Sequence, residues 1–362
     1  MSTLRNVPVI LFGVGGVGRA LVRQVIATRS LHASRLHLRL EFVALCDRSG
    51  AVVDAQGLSD GTLNALLAAK SAGKPLGESS FANRGQPDLT AIIEAAGRDG
   101  SIVVDCTASD DTCPALLTAL GLGYGVVLAN KRPLTGALAM YRQFVANPRL
   151  RYEATVGAGL PVIGTLRSLL DTGDQVTAIE GAFSGTLGYL CSQLQRGMSY
   201  SAAVRAAQRL GYTEPDPRDD LGGMDVARKA LILARMLDWP LELTDIIVET
   251  LYPAALLGLS VPQFLDAIKA LDEPYAMRVQ AAQAKGQVLC YRAQVRDGRC
   301  QVGMEPVPLD SPLGRLQGTD NLIAFHSARY AASPLVVQGP GAGVEVTAAA
   351  ILADILALAA PA

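Results

Sequence analysis

Apolar residues over the first ~150 positions alternate between continuous runs and helical spacing. "PVILFGV" (8–14), "RLEFVALCD" (39–47), "SIVVDCTAS" (101–109) and "GVVLANKRP" (125–133) are short apolar stretches of strand length. Between them "GRALVRQVIATR" (18–29) and "CPALLTALGLG" (113–123) carry apolar positions at helical intervals. Strands this evenly apolar, interleaved with helices, predict a parallel sheet covered on both faces. Beyond residue 150, "AAVRAAQRLGY" (202–212) and "MDVARKALILARML" (224–237) read as helices. From Gln287 the pattern changes to strands, with "QVLCYRAQVRDGRCQVGMEPV" forming a hairpin around Asp297-Gly298. "LVVQGPGAGVEVTAAAILADIL" (335–356) then runs through a glycine-rich turn into a last helix, expected to fold back onto the first domain. The expected division is 1–150 plus 338–362 for one domain and 151–337 for a second, α+β domain, whose strand-rich part covers about 286–337.

Composition narrows the class. Half of the 362 residues are hydrophobic and the net charge is −1, with no Lys/Arg run, so neither nucleic acid nor an anionic membrane surface is an expected partner. "VPVILFGVGGVG" near the start is too short and glycine-broken for a signal peptide. "VTAAAILADILALAAPA" at the end carries Asp354 and falls short of the ~18–20 residues that span a bilayer. The six cysteines show no metal spacing and point to reduced thiols in a cytoplasmic protein. With only three histidines, acid–base chemistry near neutral pH falls to Lys, Asp or Glu.

A glycine turn supplies the first chemistry. Gly13, Gly15 and Gly18 stand between a strand and a helix in the G-x-G-x-x-G order, with Gly16 and Val17 inside it. The first glycine permits the tight turn, the second lets backbone approach a pyrophosphate, and the third allows close helix–strand packing. The helix N-terminus then offers N–H groups to the phosphates. This is a dinucleotide-binding turn, and it makes the first domain Rossmann-type and doubly wound. Asp47 ends the second strand, where an acidic residue holds ribose hydroxyls and favours NAD; neighbouring Arg48 would instead favour the 2′-phosphate of NADP. The two residues together leave both cofactors open.

The second chemistry lies in "GYTEPDPRDDLGGMDVARK" (211–229). Pro215 and Pro217 end the preceding helix, which predicts a loop kept loose by Gly222 and Gly223 until a helix starts near Met224. Asp225 and Lys229 share one face of that helix among apolar neighbours, so Lys229 is expected to be partly buried and to need a carboxylate. Glu214 and Asp220 gather on the approach to the same helix, as a site for a small ammonium-bearing substrate requires. Lys131 follows a buried strand at the carboxyl edge, where α/β domains bind ligands. "EATVGAGLP" (153–161) and "FSGTLGY" (183–189) are small-residue turns able to touch a ligand or ion.

Together, "GVGGVG", "ANKRPL", "YEATVGAGLP", "FSGTLGY", "GYTEPDPRDDLGGMDVARK", "DNLIAFHSARY" and "GPGAGVEVTAAAILADI" resemble homoserine dehydrogenase from end to end. The resemblance implies NAD(P)-linked interconversion of L-aspartate 4-semialdehyde and L-homoserine by a homodimer built around the strand-rich region. It implies Lys229 as the proton-transfer residue, Lys131 as the second lysine, and Glu214, Asp220, Asp225 and Thr186 as substrate-binding residues. Cofactor contacts would fall on the Gly13–Gly18 turn, on Thr107 and near Gly341. A sodium ion would take Glu153 and the carbonyls of Val156, Ala158 and Leu160. Pro340 stands in the late turn where the family often has a small residue, and Arg132 stands where a second lysine is common. The chain stops soon after that turn, so neither a C-terminal regulatory domain, a fused aspartate kinase nor threonine feedback through such a domain is expected. The rival readings are an oxidoreductase acting on a related amino alcohol and a non-catalytic dinucleotide sensor.

Overall fold

Six consecutive buried residues, Val7–Phe12, form a central strand covered on both faces. The computed structural model that shows this describes residues 4–83, 85 and 88–360. The chain separates into two units, 1–159 with 343–362, and 160–342.

In the first unit the strands are β1 (Arg5–Phe12), β2 (Leu38–Asp47), β3 (Gly50–Val53), β4 (Ile102–Asp105), β5 (Gly125–Leu128) and β6 (Leu150–Arg151), ordered β3-β2-β1-β4-β5-β6. All neighbours pair in parallel except β2 with β3. The change of direction in strand order lies between β1 and β4, where an open α/β sheet leaves a crevice at the carboxyl ends of its strands. Helix Gly16–Leu36 follows β1 and buries Leu21, Val22 and Val25. Helix Val344–Ala359 places Ala348, Ile351, Ile355 and Leu358 on one face, and these join the same core. Each such Val, Leu or Ile side chain removed from water contributes about 1.5–3 kcal/mol.

The second unit is built on β7 (Val176–Ala182), β8 (Ile247–Val248), β9 (Gln287–Arg296), β10 (Arg299–Pro308), β11 (Asp320–Ser327) and β12 (Leu335–Pro340), ordered β12-β11-β7-β9-β10-β8. Only the short β8 pairs in parallel. Asp297 (φ +52°) and Gly298 (φ +72°) turn β9 into β10, consecutive left-handed residues as a type I′ hairpin turn requires. Pro340 ends β12 opposite Asp320 at the sheet edge, a place where a missing N–H is tolerated. Among the described residues no helix is long and apolar enough to cross a membrane.

The acidic segment departs from its sequence expectation. The stretch is not all loop: Arg218–Leu221 is a short helix, because Pro217 at φ −59° is preset for a helix start and Asp216 accepts the Arg218 N–H at 3.0 Å. Nor are Gly222 and Gly223 loose. Gly223 has φ +71°, and a Cβ there would stand 2.0 Å from the Tyr291 hydroxyl oxygen, so glycine is needed for a tight joint.

Candidate active site

Three glycines of the first turn serve three different needs. Gly13 has φ +91°, and a Cβ on it would meet the Cys106 carbonyl at 2.9 Å. At Gly18 a Cβ would lie 2.1 Å from the Gly13 oxygen, so helix Gly16–Leu36 can leave the strand only with hydrogen there. Gly15 faces open space, with no atom within 4 Å of a Cβ, as expected where a ligand approaches the backbone. Gly16 packs near Val344, and Val17 lies against the core.

The turn opens onto a cavity of about 720 Å³ whose lining includes Gly13, Gly15, Asp47, Arg48, Lys70 and Thr107. Both Asp47 oxygens are already engaged. One accepts from the Ser49 N–H (2.8 Å) and hydroxyl (2.5 Å), the other from Lys70 Nζ (2.5 Å) and the Leu76 N–H (3.2 Å). Burial opposes the charge of Asp47, but the bonds from Lys70 and Ser49 outweigh it and hold the carboxyl below its usual range. Arg48 beside it is exposed. Thr107 donates its N–H to Asp105 at 2.8 Å and accepts from Asn130 Nδ2 at 3.3 Å. Lys131 follows Asn130 and caps the short helix Arg132–Thr135, its carbonyl accepting the Leu134 and Thr135 N–H groups at 3.1 and 3.0 Å.

In the second unit Lys229 is 8 % exposed on helix Met224–Met236. Its Nζ is 2.8 Å from Asp225 Oδ2, one turn earlier, and donates to the Phe183 carbonyl at 2.6 Å. The Asp225 side chain is half exposed, so the pair joins a buried cation to an accessible carboxylate. Asp220 accepts from Thr186 Oγ1 at 3.1 Å and from the Glu214 N–H at 2.8 Å, and Thr186 also donates to the Tyr212 carbonyl at 2.5 Å. Burial foremost, then the charges of Glu214 and Asp225, outweigh these bonds and raise the pKa of Asp220. A carboxylate that ionises reluctantly gains most from an incoming cation. Glu214 itself is exposed.

Two late features complete this unit. Gly341 lies directly on the Asn321 carboxamide, where a Cβ would come within 1.8 Å of Asn321 Cγ, and its carbonyl accepts from Nδ2 at 3.3 Å. Leu160 opens the unit, its carbonyl bound by the Val162 N–H at 2.8 Å. Glu153, Val156 and Ala158 belong to the first unit. There the Glu153 N–H donates to Asp354 at 2.8 Å, and Ala158 has φ +57°, a left-handed conformation rare for alanine.

The comparisons with known proteins agree with one another. Residues 161–356 match the family described as homoserine dehydrogenase, and residues 13–152 match the homoserine dehydrogenase NAD binding domain. The homoserine dehydrogenase of Emericella nidulans is 36 % identical over 364 residues, covering 96 % of each chain. The chain belongs to the homoserine dehydrogenase family. A Haemophilus influenzae bifunctional aspartokinase/homoserine dehydrogenase is also 36 % identical, over 97 % of this chain, which spans 42 % of that longer protein. A hyperthermophilic archaeal homoserine dehydrogenase in complex with NADPH shares the fold, with TM-score 0.74 at 23 % identity and 97 % of each chain covered.

Within this homoserine dehydrogenase fold, some contacts carried no signal in the sequence. The Phe183 carbonyl holds Lys229 as a backbone atom, so no residue type announces it. Asp105 and Asn130 lie inside "DCTAS" and "LANKRPL"; their signal is a polar residue at the end of one apolar strand and two residues beyond the end of the next.

Proposed function

We propose that this chain catalyses the NAD(P)-dependent interconversion of L-aspartate 4-semialdehyde and L-homoserine, a step in threonine, methionine and isoleucine biosynthesis. The observation that carries the reading is Lys229, a nearly buried cation held between Asp225 and the Phe183 carbonyl. The bound dinucleotide supplies a hydride to the aldehyde carbon in reduction and takes it up in oxidation. As the carbonyl π bond breaks, Lys229 stabilises the alkoxide forming on the aldehyde oxygen and gives it a proton. Glu214, Asp220 and Asp225 bind the substrate's α-ammonium, with Thr186 orienting Asp220. Lys131 is the second lysine. The test is absorbance at the reduced-nicotinamide band with L-homoserine and each cofactor in turn; dinucleotide binding without turnover would sink the reading. Turnover of a related amino alcohol far better than homoserine would replace the substrate.

The cofactor reading follows from charge. Asp47 is neutralised by Lys70 and spends both oxygens on the protein, so it is poorly placed to take ribose hydroxyls. Arg48 and Lys70 line the same cavity, and with Lys70 paired to Asp47 the exposed guanidinium of Arg48 leaves a net positive charge there that suits the 2′-phosphate of NADP. Arg48→Ala should raise KM for NADP by roughly ten- to a hundredfold while leaving KM for NAD nearly unchanged. Equal loss with both cofactors would place Arg48 away from the phosphate.

A sodium ion would use Glu153 and the carbonyls of Val156, Ala158 and Leu160. One carboxylate with backbone oxygens suits a hard cation, and the left-handed Ala158 is the kind of strained residue such sites retain. The strand-rich region 286–337 would carry the homodimer contact. The six cysteines without disulfide partners, five of them buried, suit the reducing cytoplasm.

A further inference from the structure

Asp105 ends β4 with none of its surface exposed, and all three donors to its carboxylate are neutral. Thr107 N–H binds one oxygen at 2.8 Å; Thr112 Oγ1 and Asn130 Nδ2 bind the other at 2.7 and 2.9 Å. Among the described residues no cation pairs with this carboxylate, and burying it is expensive unless its oxygens are hydrogen-bonded, as both are. What they hold is specific. The Thr107 N–H sets the loop that lines the dinucleotide cavity. Asn130, 2 % exposed, immediately precedes Lys131. Its Nδ2 also donates to the Ser109 carbonyl at 2.7 Å, and its Oδ1 accepts the Arg132 N–H at 3.0 Å, so it ties the residue that follows Lys131 to the cavity loop at Ser109. The Asp105 carbonyl adds bonds from the N–H groups of Ala129 and Asn130, at 2.9 and 3.1 Å.

We infer that Asp105 is a positioning residue of the reaction: through Thr107 and through Asn130 it sets the cofactor loop and Lys131 in one register. This rests on the dehydrogenase reading above for the part played by Lys131, but not for the part played by the cavity. An asparagine at 105 keeps the shape and the Thr107 bond, yet turns an amide N–H₂ toward the N–H₂ of Asn130, two donors face to face.

Asp105→Asn, Asn130→Asp and the double variant would be compared with wild type for kcat and KM with NADP and homoserine. Melting temperature and the dissociation constants of NADP and 2′,5′-ADP, the half of NADP that lacks the nicotinamide, would be measured alongside. Asp105→Asn is expected to lower kcat and raise KM for NADP, together about tenfold or more in kcat/KM, with 2′,5′-ADP binding unchanged. The double variant should recover part of the loss, because the amide of residue 105 then donates to the carboxylate at 130. Wild-type kcat and KM in Asp105→Asn, with only a lower melting temperature, would overturn the inference. So would equal loss of 2′,5′-ADP binding, which would make Asp105 a support of the sheet alone. If Asp105→Asn does not fold, Asn130→Asp decides. Two facing carboxylates should depress its activity and restore it as pH falls and a proton bridges them; wild-type activity at every pH would refute the role. If wild type fails to oxidise homoserine, the dehydrogenase reading fails by itself, and weaker NADP but unchanged 2′,5′-ADP binding in Asp105→Asn still tests the cavity half.

Discussion

Lys229→Ala should lower kcat for homoserine oxidation by roughly 10²–10⁴-fold, the usual worth of a positioned acid–base group. The substitution removes the ammonium that lies 2.8 Å from Asp225 Oδ2 and donates to the Phe183 carbonyl at 2.6 Å. It leaves that carbonyl without its donor, which costs about 1–3 kcal/mol of stability if water does not replace it. The Asp225 side chain is 51 % exposed, so its charge stays accessible to solvent and adds little to the penalty. NADP affinity should stay close to wild type, because the glycine turn and its cavity are built entirely from residues of the other unit. Steady-state kinetics with a dinucleotide titration separates these outcomes. Turnover within a few-fold of wild type would show that Lys229 is a structural ion pair and that the proton moves through another group.

Gly18→Ala should weaken NADP binding by more than about a hundredfold and also lower the melting temperature. Its Cβ would lie 2.1 Å from the Gly13 carbonyl oxygen, a backbone atom, and Gly13 is itself held by its N–H bond to the Cys46 carbonyl at 2.8 Å. Forcing an extra carbon into such packing typically costs about 1–3 kcal/mol, and here the strain falls on the turn that meets the ligand. Gly15→Ala makes the contrast. A Cβ there meets no protein atom within 4 Å, so the melting temperature should hold while NADP affinity falls. Thermal denaturation and NADP titration of the pair would read both effects. Unchanged affinity in Gly15→Ala would move the pyrophosphate away from this turn.

Much of this was legible in the chain before any coordinates. The α/β class followed from apolar runs alternating with helical spacing, because a strand buried on both faces has no polar positions to show. The Asp297-Gly298 turn followed from residues that tolerate left-handed backbone. The meeting of Asp225 and Lys229 followed from helical geometry, which sets residues four apart on one face whatever surrounds them. The short helix at Arg218–Leu221 was misread as loop because a proline that ends one helix is equally suited to begin another.

The sequence by itself therefore determined the α/β alternation of the first unit, the glycine turn and the spacing of the acidic helix, all consequences of interactions between near neighbours. Only the tertiary structure decided what each polar group touches. Lys229 finds a carbonyl 46 positions away, Thr186 reaches Asp220 across 34, and Asn130 reaches Asp105 across 25. Asp47 takes its ammonium partner, Lys70, from 23 residues on. Such partners are chosen by how packed elements bring strand ends and helix starts together, and a buried polar atom must accept whichever donor or acceptor that packing delivers.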